Sequence, residues 1–182
     1  WDDIRGLIKA QKDVQSRMDE VIEQVGERLR RWAAPLGFEV EAAPTDGEFH
    51  AWRPEWADKR KGARVYFVVG GFWPDGFHKL DAKAPYIGLC IENLEQFRVK
   101  EAERAAFGRA LRNALDGQGV MWEEDSNDAA FPLNRYLKNY DRPLRSALIG
   151  DADRLFEFSK EQLTSVFNLA DAVGAQLLTL AR

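Results

Sequence analysis

One feature near the start of the chain limits the fold more than any other. Ile4, Leu7, Val14, Met18, Val21, Val25, Leu29 and Trp32 recur at steps of three and four, and Gln11 fills the one missing slot. This is the a/d spacing of a coiled-coil seam, sustained over about four heptads. It predicts one long helix over residues 1–35, with Asp2 and Asp3 at its positive end and Pro35 and Gly37 as its stop. Gly6 and Gly26 weaken it slightly. About 33 residues at ~1.5 Å each span roughly 50 Å. A compact chain of 182 residues has a radius of gyration of roughly 16 Å and is only about 40 Å across. The helix therefore either packs along the C-terminal helix or carries a portion that protrudes and pairs outside the domain.

The middle of the chain reads as β-rich. Residues 36–42 (LGFEVEA) alternate apolar and charged side chains, as a half-exposed strand does. A turn over 44–47 leads to a second strand at 48–53 (EFHAWR). Residues 64–73 (RVYFVVGGFW) are apolar on both faces and predict a central strand, and 86–92 (YIGLCIE) predict another. Gly70, Gly71 and Gly88 inside these runs signal a bulge or a close backbone approach. A helix is expected over 100–115, burying Phe107, Ala110, Leu111 and Ala114, then a short strand over 119–123. Residues 125–150 read as irregular, with one short helix after Pro143. Ser159 with Gln162 three residues on forms a capping box, predicting a last helix that buries Leu163, Val166, Ala170, Val173, Leu177 and Leu180.

The expected fold class is α+β, an antiparallel sheet of four to five strands flanked by helices. The long N-terminal helix packs against the C-terminal helix. Residues 1–35 form the heptad-like connector or docking helix, and 36–182 the α+β body that the last helix closes, effectively one domain.

Composition narrows the chemistry. The chain is 45% hydrophobic and 31% charged, the balance of a globular protein rather than a disordered or membrane one. No apolar run approaches the ~20 residues of a transmembrane helix, and no signal peptide is read. The single cysteine, Cys90, forbids an internal disulfide, fits a reducing and hence cytoplasmic compartment, and sits in a strand pattern that predicts a buried, inert thiol. With His50 and His78 the only histidines, a structural zinc site is nearly excluded, whereas carboxylate-bound magnesium or manganese is not. A net charge of −4 argues against non-specific nucleic-acid binding by the whole surface and leaves two local basic runs, 59–64 (KRKGAR) and 28–31 (RLRR).

Two constellations carry the candidate chemistry. The first is 74–83 (PDGFHKLDAK), in which Asp75, Asp81 and Lys83 spell the PD-(D/E)xK nuclease string. Such a site needs two carboxylates converging on a divalent cation that activates water, with a lysine beside the phosphate. Pro85 disfavours a strand interior here, and five residues between the aspartates allow only a tight connection. The string reads as a solvated loop, with a small Mg- or Mn-dependent nuclease as the alternative and no cofactor otherwise. The second constellation is aromatic and basic: Trp52, Arg53, Trp56, Lys59, Arg60, Lys61, Arg64 and Trp73. Aromatic faces beside arginines can stack a base or nucleotide, and tryptophans equally fill the core of a small sheet.

The element order supports one resemblance. A heptad-like helix, the Trp-rich pair at 49–56 (FHAWRPEW), strands at 65–73 and 86–93, a helix, a strand ending near Trp122, a 132–137 segment (PLNRYL) and a final helix follow one another. This order resembles the region C-terminal to the nuclease core in bacterial PD-(D/E)xK-superfamily proteins, some linked to phage defence. The resemblance implies that the catalytic residues lie upstream and that none of them maps onto this chain. It also implies that the non-Met start at Trp1 belongs to a fragment whose nuclease half is absent, and that the first helix docks on that core or on a second copy. The expected role is then a non-catalytic accessory or interaction domain with a protein partner or itself, nucleic acid being the further candidate partner and membrane none.

Overall fold

The computed structural model describes residues 2–44, 46–58, 63–72, 85–92, 101–115, 122, 133–137 and 150–180. Helix α1 runs over Asp2–Ala33, with Arg30 and Arg31 at its negative end. A 3-10 turn (Ala34–Leu36) then closes on Gly37, whose φ of 82° lies in the left-handed region that glycine enters without a Cβ penalty. The strands are β1 (Glu39–Ala43), β2 (Glu48–Trp52), the two-residue β3 (Ala57–Asp58), β4 (Ala63–Gly70), β5 (Tyr86–Glu92) and β6 (Leu133–Tyr136). Helices α2 (Glu101–Leu115), α3 (Ala152–Phe167) and α4 (Ala170–Leu180) follow among the described residues.

The sheet is antiparallel in the order β1-β2-β4-β5-β6, with β3 paired to β4. The α+β expectation, a helix-flanked antiparallel sheet with a long first helix, matches this architecture. Strand periodicity puts Val40, Phe49, Ala51, Val65, Phe67, Val69, Ile87, Leu89 and Leu133 on one face, and all of them are buried. Helices α1 and α3 pack on this side. Phe167 of α3 stacks on Phe38 at 3.7 Å and on Trp32 of α1 at 5.4 Å, and tilts against Phe67 at 6.4 Å. The opposite face carries Glu41, Glu48, His50, Trp52, Arg64, Tyr66, Cys90 and Glu92.

Gly26 takes on a different meaning in three dimensions. A Cβ added there would lie 2.5 Å from the Cβ of Ala42, so the glycine lets α1 lie directly on β1. At Gly88 an added Cβ would meet the Leu133 carbonyl oxygen at 2.7 Å, the close backbone approach that the strand glycines predict.

Several sequence expectations are corrected. The last helix is two: α3 ends at Phe167, and α4 restarts at Ala170 after a turn at Asn168 and Leu169. Ser159 is not an N-cap. It is fully buried within α3, and the cap is Asp151, whose carboxylate accepts from the amides of Asp153 at 3.0 Å and Arg154 at 3.2 Å. The stronger Asx signal stood eight residues upstream, where an acidic side chain also favours the positive helix end. Ala110 is exposed, Ala114 is half-buried, and Leu111 and Leu115 are buried, while the Phe107 side chain lies outside the described residues. The stretch expected to be irregular contains β6, whose ladder to β5 continues as the Leu137 amide donates to the Pro85 carbonyl at 2.7 Å. The strand expected over 119–123, apart from Trp122, and the helix after Pro143 lie outside the described residues.

Candidate functional site

Arg64 organises the polar face of the sheet. It starts the long central strand β4, one residue in, where the register sets it opposite Glu92 of β5. Its Nε donates to Glu92 at 2.6 Å, one terminal nitrogen donates to Glu41 of β1, and the other lies 3.4 Å from Nδ1 of His50. The guanidinium also sits over the rings of Trp52 at 4.8 Å and Tyr66 at 4.9 Å. Burial opposes its charge, yet the two carboxylates more than offset that, and its pKa lies above the ordinary arginine value.

A second chain of contacts continues from it. An arginine only donates, so Nδ1 of His50 accepts and its Nε2–H faces Glu48, 2.9 Å away. The other oxygen of Glu48 accepts from the Tyr86 hydroxyl. Glu48 reaches Tyr86 because Gly70 leaves room: a Cβ there would meet Glu48 Cγ at 2.5 Å. His50 stacks on Tyr66 at 4.3 Å, and Tyr66 stands opposite Cys90. Burial pushes both Tyr66 and Tyr86 far above the ordinary tyrosine range, and the neighbouring Cys90 and Glu48 respectively add to it. Arg64 is matched by Glu41 and Glu92, and Glu48 accepts hydrogen bonds from the His50 ring and the Tyr86 hydroxyl. The arrangement ties β1, β2, β4 and β5 together and commits the Arg64 guanidinium to two carboxylates.

The aromatic and basic candidates are split between the two faces. Trp52 and Arg64 meet on the polar face. Trp56 is 3% exposed on the other, edge-on to Phe38 and Phe67, and so is a core residue rather than a stacking platform. Arg53 lies over Phe38 and pairs with Asp171 of α4 at 2.8 Å. Trp52, 9% exposed, has its ring covered by the arginine. Lys59, Arg60, Lys61 and Trp73 lie outside the described residues, as do Asp75, Asp81 and Lys83. Cys90 is buried, as its strand position predicts. Among the described residues no cluster of three metal-ligating side chains occurs, and no helix is long and apolar enough to cross a membrane. A depression of about 870 Å³ along α3 is bordered, among the described residues, by Arg154, Glu157, Phe158, Lys160, Glu161, Thr164 and Ser165.

Among the described residues, the exposed large apolar side chains concentrate on α1. The seam changes character along its length. Val21, Ile22, Val25 and Leu29 are buried against the body, and Met18 packs at the border of the core. Before Met18 the same stripe faces solvent: Ile4 is 52% exposed, Leu7 71%, Ile8 50% and Val14 45%. Four of the five exposed large hydrophobic residues among those described fall in this one stretch, the fifth being Leu36. Sequence spacing located the seam but missed Ile8, which lies beside the a/d line rather than on it.

No protein-family model, curated protein or solved structure matches the chain.

Proposed function

We propose that this chain is a non-catalytic interaction domain that docks through the first half of α1, serving as an accessory part of a bacterial nuclease-type protein with a role in defence against phage. The exposed stripe of Ile4, Leu7, Ile8 and Val14 carries the docking reading. Most helical stability in proteins comes from packing of an apolar face, and a cluster of large aliphatic side chains at heptad spacing is the surface of a helix that pairs. The link to PD-(D/E)xK proteins rests on the element order and the aromatic placement in the sequence. The mutual pairing of Arg64, Glu41 and Glu92 speaks against the polar sheet face as a nucleic-acid surface.

The test is the stability of Leu7→Glu in dilute solution, where association is absent. A seam kept for a partner contributes nothing to the isolated fold, so the unfolding free energy should change by less than about 0.5 kcal/mol. A loss above about 2 kcal/mol would show that Leu7 is buried within the chain's own structure and would remove the docking reading. The non-catalytic clause has its own check. Supercoiled plasmid incubated with the chain and Mn²⁺ should remain intact, whereas nicking that disappears in Asp81→Ala would make residues 74–83 a nuclease site.

A further inference from the structure

We infer that the first half of α1 pairs with the same segment of a second copy in antiparallel orientation, centred near residue 9. This rests on the docking reading above and names its occupant. With Ile4 and Gln11 at a positions and Leu7 and Val14 at d, the residues flanking the seam are Asp3, Ala10 and Arg17 at g and Ile8 at e. In an antiparallel pair an a residue faces a d residue, and g faces g. Ile4 then meets the second copy's Val14, Leu7 meets its Gln11, and Ile8 meets its Ile8 on the two-fold axis. The same register sets Asp3 opposite the second copy's Arg17, twice by symmetry. Opposite charges thus close both ends of the seam, and the small Ala10 pair allows close approach at its centre.

The parallel alternative matches the surface poorly. It puts Asp3 beside the second copy's Ile8, and Arg17 beside the second copy's Ile22, which is wholly buried against its own body. The antiparallel seam uses only residues before Met18, all on the free part of the helix, and it ends where each body begins. Asp3 is exposed, and among the described residues Arg17 is held only by an exposed pair with Glu20 at 2.9 Å, an interaction of little worth that either partner can exchange. An isologous contact of this kind closes as a dimer and does not propagate into a fibre.

Sedimentation equilibrium over a wide concentration range, at low salt, tests this on the full chain, with circular dichroism confirming that each variant is folded. The chain should show a monomer–dimer equilibrium, and Leu7→Glu should weaken it more than about tenfold, the loss expected for burying a carboxylate on an apolar seam. Asp3→Arg and Arg17→Asp should each weaken the dimer about tenfold, because two symmetric attractions become two repulsions. The double variant Asp3→Arg/Arg17→Asp should return to within about threefold of the parent, since the same pairs re-form with signs exchanged. A dimer indifferent to the single reversals, or not restored by the double one, overturns the antiparallel register. A chain that stays monomeric at every concentration overturns self-pairing. Neither result touches the docking reading, which stands or falls on the stability of Leu7→Glu in dilute solution.

Discussion

Phe67→Ala should lower the unfolding free energy by about 3–5 kcal/mol, the range for removing a large aromatic side chain from a close-packed interior. Phe67 is fully buried at the middle of β4, the strand that pairs with β2, β3 and β5. Its ring sits edge-on to Trp56 at 5.5 Å and tilted to Phe167 at 6.4 Å. Phe167 in turn stacks on Trp32 of α1 and on Phe38, so the space left by Phe67 lies under the point where α1, α3 and the sheet converge. The surrounding rings are held from several directions and have little freedom to collapse into it, which places the expected loss toward the upper part of the range. Phe67→Leu keeps most of the volume and should cost less than about 1.5 kcal/mol. Equilibrium denaturation in urea measures both. A loss below about 1 kcal/mol for the alanine variant would mean that the helices do not converge on β4 in this way.

The second large effect is alkaline. An unfolded tyrosine ionises near pH 10, whereas burial holds Tyr66 and Tyr86 protonated far above that value in the folded chain. The sign follows from proton counts. Above pH 10 the unfolded state has released protons that the folded state retains, so stability is complete below pH 10 and falls as pH rises beyond it. Each tyrosine contributes a slope of at most about 1.4 kcal/mol per pH unit, and solvent screening at the half-buried Tyr86 reduces its share. Absorbance at 295 nm should therefore show two tyrosines that ionise only together with loss of the far-ultraviolet helix signal. Tyr86→Phe should make the decline between pH 10 and 12 shallower, while leaving one tyrosine that still titrates with unfolding. Ionisation of all tyrosines before any loss of helix would show that the Glu48–Tyr86 and Tyr66–Cys90 contacts do not exist in solution.

The two predictions probe opposite faces of one sheet, and the faces differ in how far the sequence reveals them. The apolar face follows from the alternation in β1, where Val40 stands between Glu39 and Glu41, because side-chain period in a strand is a local property. The polar face follows the same alternation, but its meaning does not. Arg64 belongs by sequence to a basic run that looks suited to phosphate. In the fold it is committed to Glu41, 23 residues before it, and to Glu92, 28 residues after it. Trp56 and Trp52 stand four residues apart and look like one aromatic patch, yet the 3-10 turn over Pro54–Trp56 sends them to opposite sides of the sheet. Strand β6 was missed for a related reason. At Asn134 and Arg135 an edge strand needs no second apolar face, so its pairing with β5 leaves little mark on composition.

Helix α1 shows most clearly what each level determines. Its existence and its stop follow from local rules: heptad spacing, and proline and glycine at the end. The residues of its seam are equally legible, since any helix places them on one side. Which half of that seam is covered depends instead on where β1 and α3 end, and so on contacts between residues far apart in the chain. The sequence by itself determined a helix too long for the body it serves. Only the tertiary structure decided that the surplus is the stretch before Met18, because burial is a property of what lies opposite a side chain and not of the side chain alone.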